Sequence, residues 1–393
     1  MEFSIFIQGY MPGPDAHNPV KEHEFLMKEM EFVKAADKHN WKYVWLSEHH
    51  ALPEYSHLSA NEAVAGYLAA STERIHIGSG IFNISPRVNH PVRTAEKVAM
   101  LDHLSNRRFE FGTGRGAGSH EVATFNIHDP GSTKSEYYEV LPEIVRMWEQ
   151  KDYTFQGKHF QLDTPHDIMP KPNGQGHPPI WRAVGSPGTW REAGELGIGA
   201  LGFTFSSIKD MGPLLDSYKQ AVADCVDPVG QFKNDNAMIT SGIRCSLDRD
   251  KARKQASNPS YIITLVTLYH DTFPRNPLAA RWPNPPVGLP AEGLDEMLQL
   301  GYGLVGTPEE ICEQLQPYVK AGIDQLGFGV PNDVSHEEAL EMIETFGKYV
   351  IPEFDKDPVH LTDKYRAAAK PKYQMWEKEP PPLTTMWTER ARG

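Results

Sequence analysis

Cysteine is scarce: Cys225, Cys245 and Cys312 are the only three in 393 residues, and they lie far apart without CxxC spacing. That argues against a disulfide framework and a cysteine zinc site, and leaves ordinary packed thiols. Long hydrophobic runs are missing too; the apolar stretches are short and broken by charge or glycine, so no membrane span is read. Met1 leads at once into the strand-like Phe3-Ser4-Ile5-Phe6-Ile7, with neither a basic start nor a small-residue cleavage site. The expected location is therefore the cytoplasm. Positive charge is in deficit: 39 Lys and Arg against 52 Asp and Glu give a net charge of −13, with no basic run interleaved with aromatics. Such a surface repels phosphate backbones, which argues against nucleic-acid binding.

What the sequence does hold is an alternation of short apolar runs with amphipathic helix patterns. Residues 3–8, 43–48, 75–81, 108–112, 179–184, 199–204, 237–246 and 325–330 read as strands, each rich in Ile, Val, Phe, Trp or Gly. Their continuous apolar character suits burial on both faces of a parallel sheet. Eight such units predict an α/β protein, a (β/α)8 TIM barrel over residues 1–354, and the length fits one barrel with insertions. Helix starts agree: Ser59 with Glu62, and Thr307-Pro308 with Glu310, have the spacing of capping boxes, while Pro91 and Pro187 open two more helices. Pro142 falls inside a helical pattern and is expected to kink or split it. Residues 152–163 read as a hairpin insertion turning at Gly157, and residues 248–300 follow the seventh strand. A long insertion at the C-terminal end of a barrel strand lies over the mouth, so 248–300 is the expected lid. Residues 355–393, with Pro380-Pro381-Pro382, predict an extended C-terminal tail that wraps a neighbour or frays.

The chemistry-bearing residues cluster at the strand ends. Strand two finishes in Glu48-His49-His50, a carboxylate and two imidazoles at the rim where barrel enzymes place catalytic groups. Neighbouring residues there point in different directions, so the two histidines do not form a chelate, and no metal site is expected. A rim histidine can also be plain packing, a reading that weighs more on His50 than on His49. Strand four runs into Gly112-Thr113-Gly114-Arg115-Gly116-Ala117-Gly118, where backbone amides can approach an anion beside a permanent guanidinium charge. The glycines follow the fourth unit and a hairpin comes next, which is the wrong context for a dinucleotide fingerprint. Strand five leads through Gly185-Ser186-Pro187-Gly188-Thr189 into a helix start, a second anion seat or a plain N-cap. Together with Arg115 it suggests one phosphate held between adjacent loops. Strand three ends in Gly78-Ser79-Gly80-Ile81-Phe82, small enough for close approach by a flat ring, or simply a glycine bend.

From Met1 to about Phe354 these residues resemble the bacterial-luciferase-like flavin monooxygenases. The resemblance is carried by Trp45 to His50, His90-Pro91 with Ala95, Leu101-Asp102-His103-Leu104-Ser105-Asn106-Arg107-Arg108, Gly112 to Gly116, Gly185-Ser186 and Val305 to Glu310. It implies FMN, as FMNH2, at the barrel mouth, with its phosphate near Arg115, Gly116, Ala117, Gly185, Ser186 and Thr189. The ring edge would lie against a non-proline cis peptide at Gly80-Ile81, with Glu48 close by and His49 as the catalytic histidine. Gly114 stands where luciferase carries a reactive cysteine, against light emission. The implied reaction is oxygenation of a small organic substrate by O2, by hydroxylation or Baeyer-Villiger chemistry, with an NAD(P)H:flavin reductase supplying FMNH2 to a homodimer or larger homo-oligomer. Tyr10 and Phe82 are candidates for the substrate wall. Two alternatives stand beside this reading: deazaflavin-dependent hydride transfer on the same fold, and a non-catalytic partner subunit.

Overall fold

The computed structural model describes residues 1–11, 15–51, 53, 55–116, 119–202, 207–256, 291–301, 303–331 and 333–372. Eight parallel strands close into a barrel: β1 Glu2–Ile7, β2 Tyr43–Leu46, β3 His76–Ser79, β5 Phe109–Gly114, β8 Ile180–Val184, β9 Gly199–Gly202, β10 Ala237–Ser241 and β13 Gln325–Gly329. Closure is made where β1 pairs with β13, from Glu2 opposite Gln325 to Phe6 opposite Gly329. The fold is thus the expected (β/α)8 TIM barrel. A two-residue strand, β4 Phe82–Asn83, follows β3 and runs on along the end of β5.

Alternation along each strand sorts side chains into two cores. Phe3, Ile5 and Ile7 of β1 face outward into the layer under the helices, while Phe6 joins Tyr43, Trp45, Trp181, Leu201 and Met238 inside the barrel. The interior is a packed plug, as barrels of this size require. Trp45 and Trp181 meet edge to face with centroids 5.0 Å apart. Each indole donates its N–H to a buried acceptor, Trp45 to Gln325 Oε1 at 2.6 Å and Trp181 to Glu110 Oε2 at 2.7 Å. Glycine makes the room: a Cβ on Gly78 would lie 2.2 Å from the Trp45 ring, and one on Gly199 would lie 2.4 Å from that of Trp181.

The outer helices follow the expected starts with two corrections. Thr307 and Glu310 form a reciprocal capping box, and Pro91 and Pro187 open their helices. Ser59 does not cap: the helix runs Asn61–Ser71 with Ala60 at its N-cap, and the Asn61 side chain bonds the carbonyls of Leu46 and Ile81. Pro142 does not split its helix, which runs unbroken as α5 Thr133–Glu149. The hairpin is present and longer than expected, β6 Tyr153–Gln156 against β7 Gln161–His166. The seventh strand divides at Gly242. β10 stays in the barrel, and β11 Ile243–Cys245 leaves to pair with β12 Leu304–Gly306. The flanks of the expected lid are accordingly two helices, Arg249–Ala256 and Ala291–Leu300, packed through Ala252, Leu294 and Val305. The rest of that segment, residues 257–290, lies outside the described residues.

The C-terminal segment differs most from expectation. Instead of extending away, residues 355–372 fold under the N-terminal floor of their own barrel, with a helix at Leu361–Ala367. Thr362 Oγ1 donates to Glu110 at 2.6 Å, the Leu361 amide donates to Glu2 at 2.9 Å, and Arg366 grips Asp102 through both carboxylate oxygens at 2.8 and 2.7 Å. Residues 373–393, with Pro380-Pro381-Pro382, lie outside the described residues. Among the described residues no helix is long and apolar enough to cross a membrane. The three cysteines are free thiols, and burial pushes that of Cys245 up to about 12, which makes it unreactive.

Candidate active site

The opposite, C-terminal end of the barrel is open. One layer above the indole plug, alternation brings Gly80, Ala183, Thr240 and Gly329 to the interior, and solvent reaches all four. These side chains are small, so the strand ends frame a cup. Gln8, two residues after Phe6, is 5% exposed, yet neither atom of its side-chain amide has a hydrogen-bond partner among the described residues. The same holds for Asn83 Nδ2. A buried polar atom without a partner costs about 1–3 kcal/mol, so both mark places where a polar guest would be stabilised.

The ends of β3 and β5 are pressed together by glycine. A Cβ on Gly112 would stand 1.9 Å from the Ser79 carbonyl oxygen, and one on Gly114 would stand 2.7 Å from the Ile81 side chain. Ser79 Oγ donates to the Gly112 carbonyl at 2.8 Å and fixes the contact. The Gly80–Ile81 peptide that follows is cis, at the bond where the sequence reading places it.

His49 sits at the end of β2 with 9% of its surface exposed, its ring edge against Tyr55 at 4.6 Å. Its Nδ1 is 2.8 Å from Glu121 Oε2. An ionised carboxylate only accepts, which assigns the proton to Nδ1 and leaves Nε2 with the exchangeable lone pair. Glu121 is carried on the short helix Ser119–Ala123, after the glycine turn of β5. Sequence reasoning missed it, because a lone acid in a loop has no periodicity to betray it. Gly116 explains how it fits: φ is +87°, and a Cβ there would stand 3.1 Å from Glu121 Oε1 and 3.0 Å from Asn83 Nδ2. Glycine at 116 therefore makes room for the His49 partner.

Glu48 points the other way. Its Oε1 accepts from the Asn83 amide at 3.3 Å, from Asn89 Nδ2 at 3.5 Å and from His50 Nε2 at 3.2 Å. Burial raises the Glu48 carboxyl above its usual range, against the pull of His50. Burial draws the His50 imidazole down, but its hydrogen bond to Glu48 together with the charges of Glu48, Glu121 and Glu62 leaves it above its usual value. The pair braces the loop after β4, with His50 edge-on to Phe125 at 4.9 Å.

Arg115 and the Ser186 turn stand on neighbouring strands, since β5 pairs with β8, Thr113 opposite Arg182. Among the described residues the Arg115 guanidinium donates to Thr133 Oγ1 at 3.1 Å and to the Pro130 carbonyl at 3.5 Å, both neutral. Its positive charge is thus available to an anion. At the second seat the helix Pro187–Glu195 opens on a Ser186–Thr189 capping box. The Gly185 and Ser186 amides, expected to face a phosphate, here donate to Thr189 Oγ1 at 3.1 and 3.0 Å. Around Gly185 and Gly188 the space is open, since a Cβ at either would meet nothing within 4 Å. Tyr10 is 7% exposed at the end of β1. Phe82 is corrected: it packs outward on Phe109 and Phe111, with centroids at 5.9 and 6.3 Å, and so lies behind the wall of the cup. Ala117 lies outside the described residues.

A family model described as "Luciferase-like monooxygenase" matches residues 1–325. The oxygenase component of the flavin-dependent trigonelline monooxygenase of Acinetobacter baylyi is 23% identical, over 91% of this chain and 97% of its own. The F420-dependent glucose-6-phosphate dehydrogenase of Kineococcus radiotolerans is also 23% identical, over 83% and 92%. Among solved structures, the oxygenating constituent of 3,6-diketocamphane monooxygenase of Pseudomonas putida, a type II Baeyer-Villiger enzyme in complex with FMN, shares the fold with a TM-score of 0.71. That comparison is at 17% identity and covers 90% of this chain and 98% of the other.

Proposed function

The chain belongs to the luciferase-like monooxygenase family, and from that premise we propose that it is the oxygenase component of a two-component flavin monooxygenase. It would take reduced FMN from a separate NAD(P)H:flavin reductase and use O2 to oxygenate a small organic molecule, working as a homo-oligomer. The observation that carries this reading is the His49–Glu121 dyad at 2.8 Å, standing at the same barrel mouth as the Arg115 guanidinium.

The residues present fit a flavin mononucleotide. The small strand ends at Gly80, Ala183, Thr240 and Gly329 leave room for a flat ring, and the unpartnered Gln8 amide and Asn83 Nδ2 await polar atoms. Arg115 would hold the phosphate together with the Ser186 and Thr189 hydroxyls. Bound reduced FMN would supply the electrons that activate O2. The chain supplies the rest. Glu121 keeps the His49 proton on Nδ1 and stabilises the imidazolium, so that Nε2 gives or takes a proton at the reacting group. The cup walls hold the substrate and exclude water, Tyr10 among them.

A second reading, hydride transfer with coenzyme F420, is favoured by the Kineococcus relative. One experiment separates the two. Terpenoids, cyclic ketones, aldehydes, alcohols and aromatics are incubated with the protein under isotopically heavy O2, in one arm with FMN, NADH and a generic flavin reductase and in a parallel arm with F420 in its oxidised or reduced form. The flavin reading expects product carrying one heavy oxygen atom. Unlabelled turnover that requires F420 would replace it with the second reading.

A further inference from the structure

At the floor of the barrel, opposite the proposed active site, three side chains that the reaction does not use converge. We propose that His76, His360 and Asp363 bind a divalent transition-metal ion, zinc by ligand type, which clips the C-terminal segment to the barrel.

His360 Nε2 lies 3.0 Å from the Lys42 backbone carbonyl, which can only accept, so Nε2 carries the hydrogen and Nδ1 is the bare nitrogen. His76 Nδ1 lies 2.8 Å from Glu110 Oε1, a carboxylate oxygen that also accepts from Thr362, so His76 donates from Nδ1, and its Nε2 faces Asp363, where a metal ion would take the place of a second proton. The two remaining ring nitrogens, His76 Nε2 and His360 Nδ1, face one carboxylate oxygen, Asp363 Oδ2, at 3.6 Å and 3.8 Å. The three ligand atoms lie within 4.8 Å of one another, and the two imidazoles are stacked at 3.7 Å. A proton on His76 Nε2 can bridge it to Asp363 alone, whereas a metal ion, once the stacked imidazoles tilt apart, engages all three ligand atoms.

The surroundings resemble those of a built site. Metal-bound histidines hand their other N–H to a carboxylate or a backbone carbonyl, and Glu110 and the Lys42 carbonyl do this here. The carboxylates of Glu110 and Asp363 balance the charge of a dication. The nearby guanidiniums are already engaged, Arg74 on the Asp37 carbonyl and Arg108 on those of Ala69, Thr72 and Ile75. A cleft of about 500 Å3, lined by Glu73, Asn106 and Pro358 among others, opens onto the cluster and admits a water as fourth ligand. Tetrahedral zinc holds its ligands at about 2.0–2.2 Å, which sets the ligand atoms roughly 3.3–3.6 Å from one another. The His76–Asp363 and His360–Asp363 pairs, at 3.6 and 3.8 Å, are near that spacing, and the Asp363 side chain is 42% exposed and can rotate inward. His76 belongs to β3, while His360 and Asp363 belong to the segment that folds under the floor, so the ion would join parts of the chain 284 residues apart in sequence.

The test uses the full chain, stripped with a chelator, loaded with zinc, desalted and analysed for bound metal. One zinc per chain is expected, with affinity reduced about tenfold or more in both Asp363→Asn and His360→Ala. Zinc should raise the thermal midpoint of the parent protein and not that of Asp363→Asn, a half-exposed change that does not threaten folding. Failure of the parent protein to retain zinc, which would mean a cluster held by protons alone, overturns the proposal. So does zinc retained undiminished by both variants, which would place it on other histidines.

Discussion

Replacing His49 by alanine is expected to lower the rate of product formation by about 10²- to 10⁴-fold, the range typical of losing a positioned general acid or base. The effect should fall on turnover, while affinity for reduced FMN stays within a few-fold, because the phosphate would be gripped elsewhere by Arg115 and Ser186. Glu121→Gln leaves His49 in place but removes the charge that fixes its tautomer. It should lower the rate by less than His49→Ala. Rates are to be compared at saturating substrate with reductase in excess. If His49→Ala retains full coupled turnover, the dyad is packing and the assignment fails.

Arg366→Ala is expected to destabilise the fold by about 3–5 kcal/mol. Arg366 and Asp102 have side chains 1% and 0% exposed and form a two-pronged pair. Truncating the guanidinium strands a carboxylate in a dry interior, with only the Asn173 amide left as a described donor at 2.8 Å. It also frees the Gly176 carbonyl, to which Arg366 Nη2 donates at 3.4 Å, and leaves the Asn173 carbonyl with Arg107 alone. A paired replacement, Asp102→Leu with Arg366→Met, should recover most of the loss, because hydrophobic residues can substitute for a buried ion pair while a half pair cannot persist. Urea titration followed by circular dichroism measures both. A loss under 1 kcal/mol for Arg366→Ala would show that the tail is not held by this pair.

The barrel was readable in the sequence because strands buried on both faces leave continuous apolar runs, and all eight fall where those runs lie. The interior was not readable. Which glycine faces which indole depends on cross-barrel register, so the fit of Gly78 to Trp45 and of Gly199 to Trp181 emerges only in three dimensions. The floor was invisible for a similar reason. Glu2, His76 and Glu110 look like surface polar residues until a segment more than 250 positions away supplies their partners. At the mouth, His49, Glu48, Arg115 and Ser186 were found from their places at strand ends, whereas Glu121 and Gln8 carried no pattern. Phe82, a candidate for the substrate wall by its place after strand three, sits instead on the short strand Phe82–Asn83 with its ring turned outward onto Phe109, an orientation that sequence position alone does not give. Part of the resemblance is structural as well: in the run Leu101 to Arg108, Asp102 anchors Arg366, and Arg107 and Arg108 tie loop carbonyls together.

The claim beneath all of this is that the barrel mouth holds the phosphate of a reduced flavin. Anaerobic titration of reduced FMN against reduced riboflavin, which lacks only that phosphate, measures it directly. The account predicts that FMN binds tighter by roughly tenfold to a hundredfold, and that Arg115→Ala removes most of the difference. Equal affinity for the two flavins, or saturation by F420 with no affinity for FMN, would contradict it.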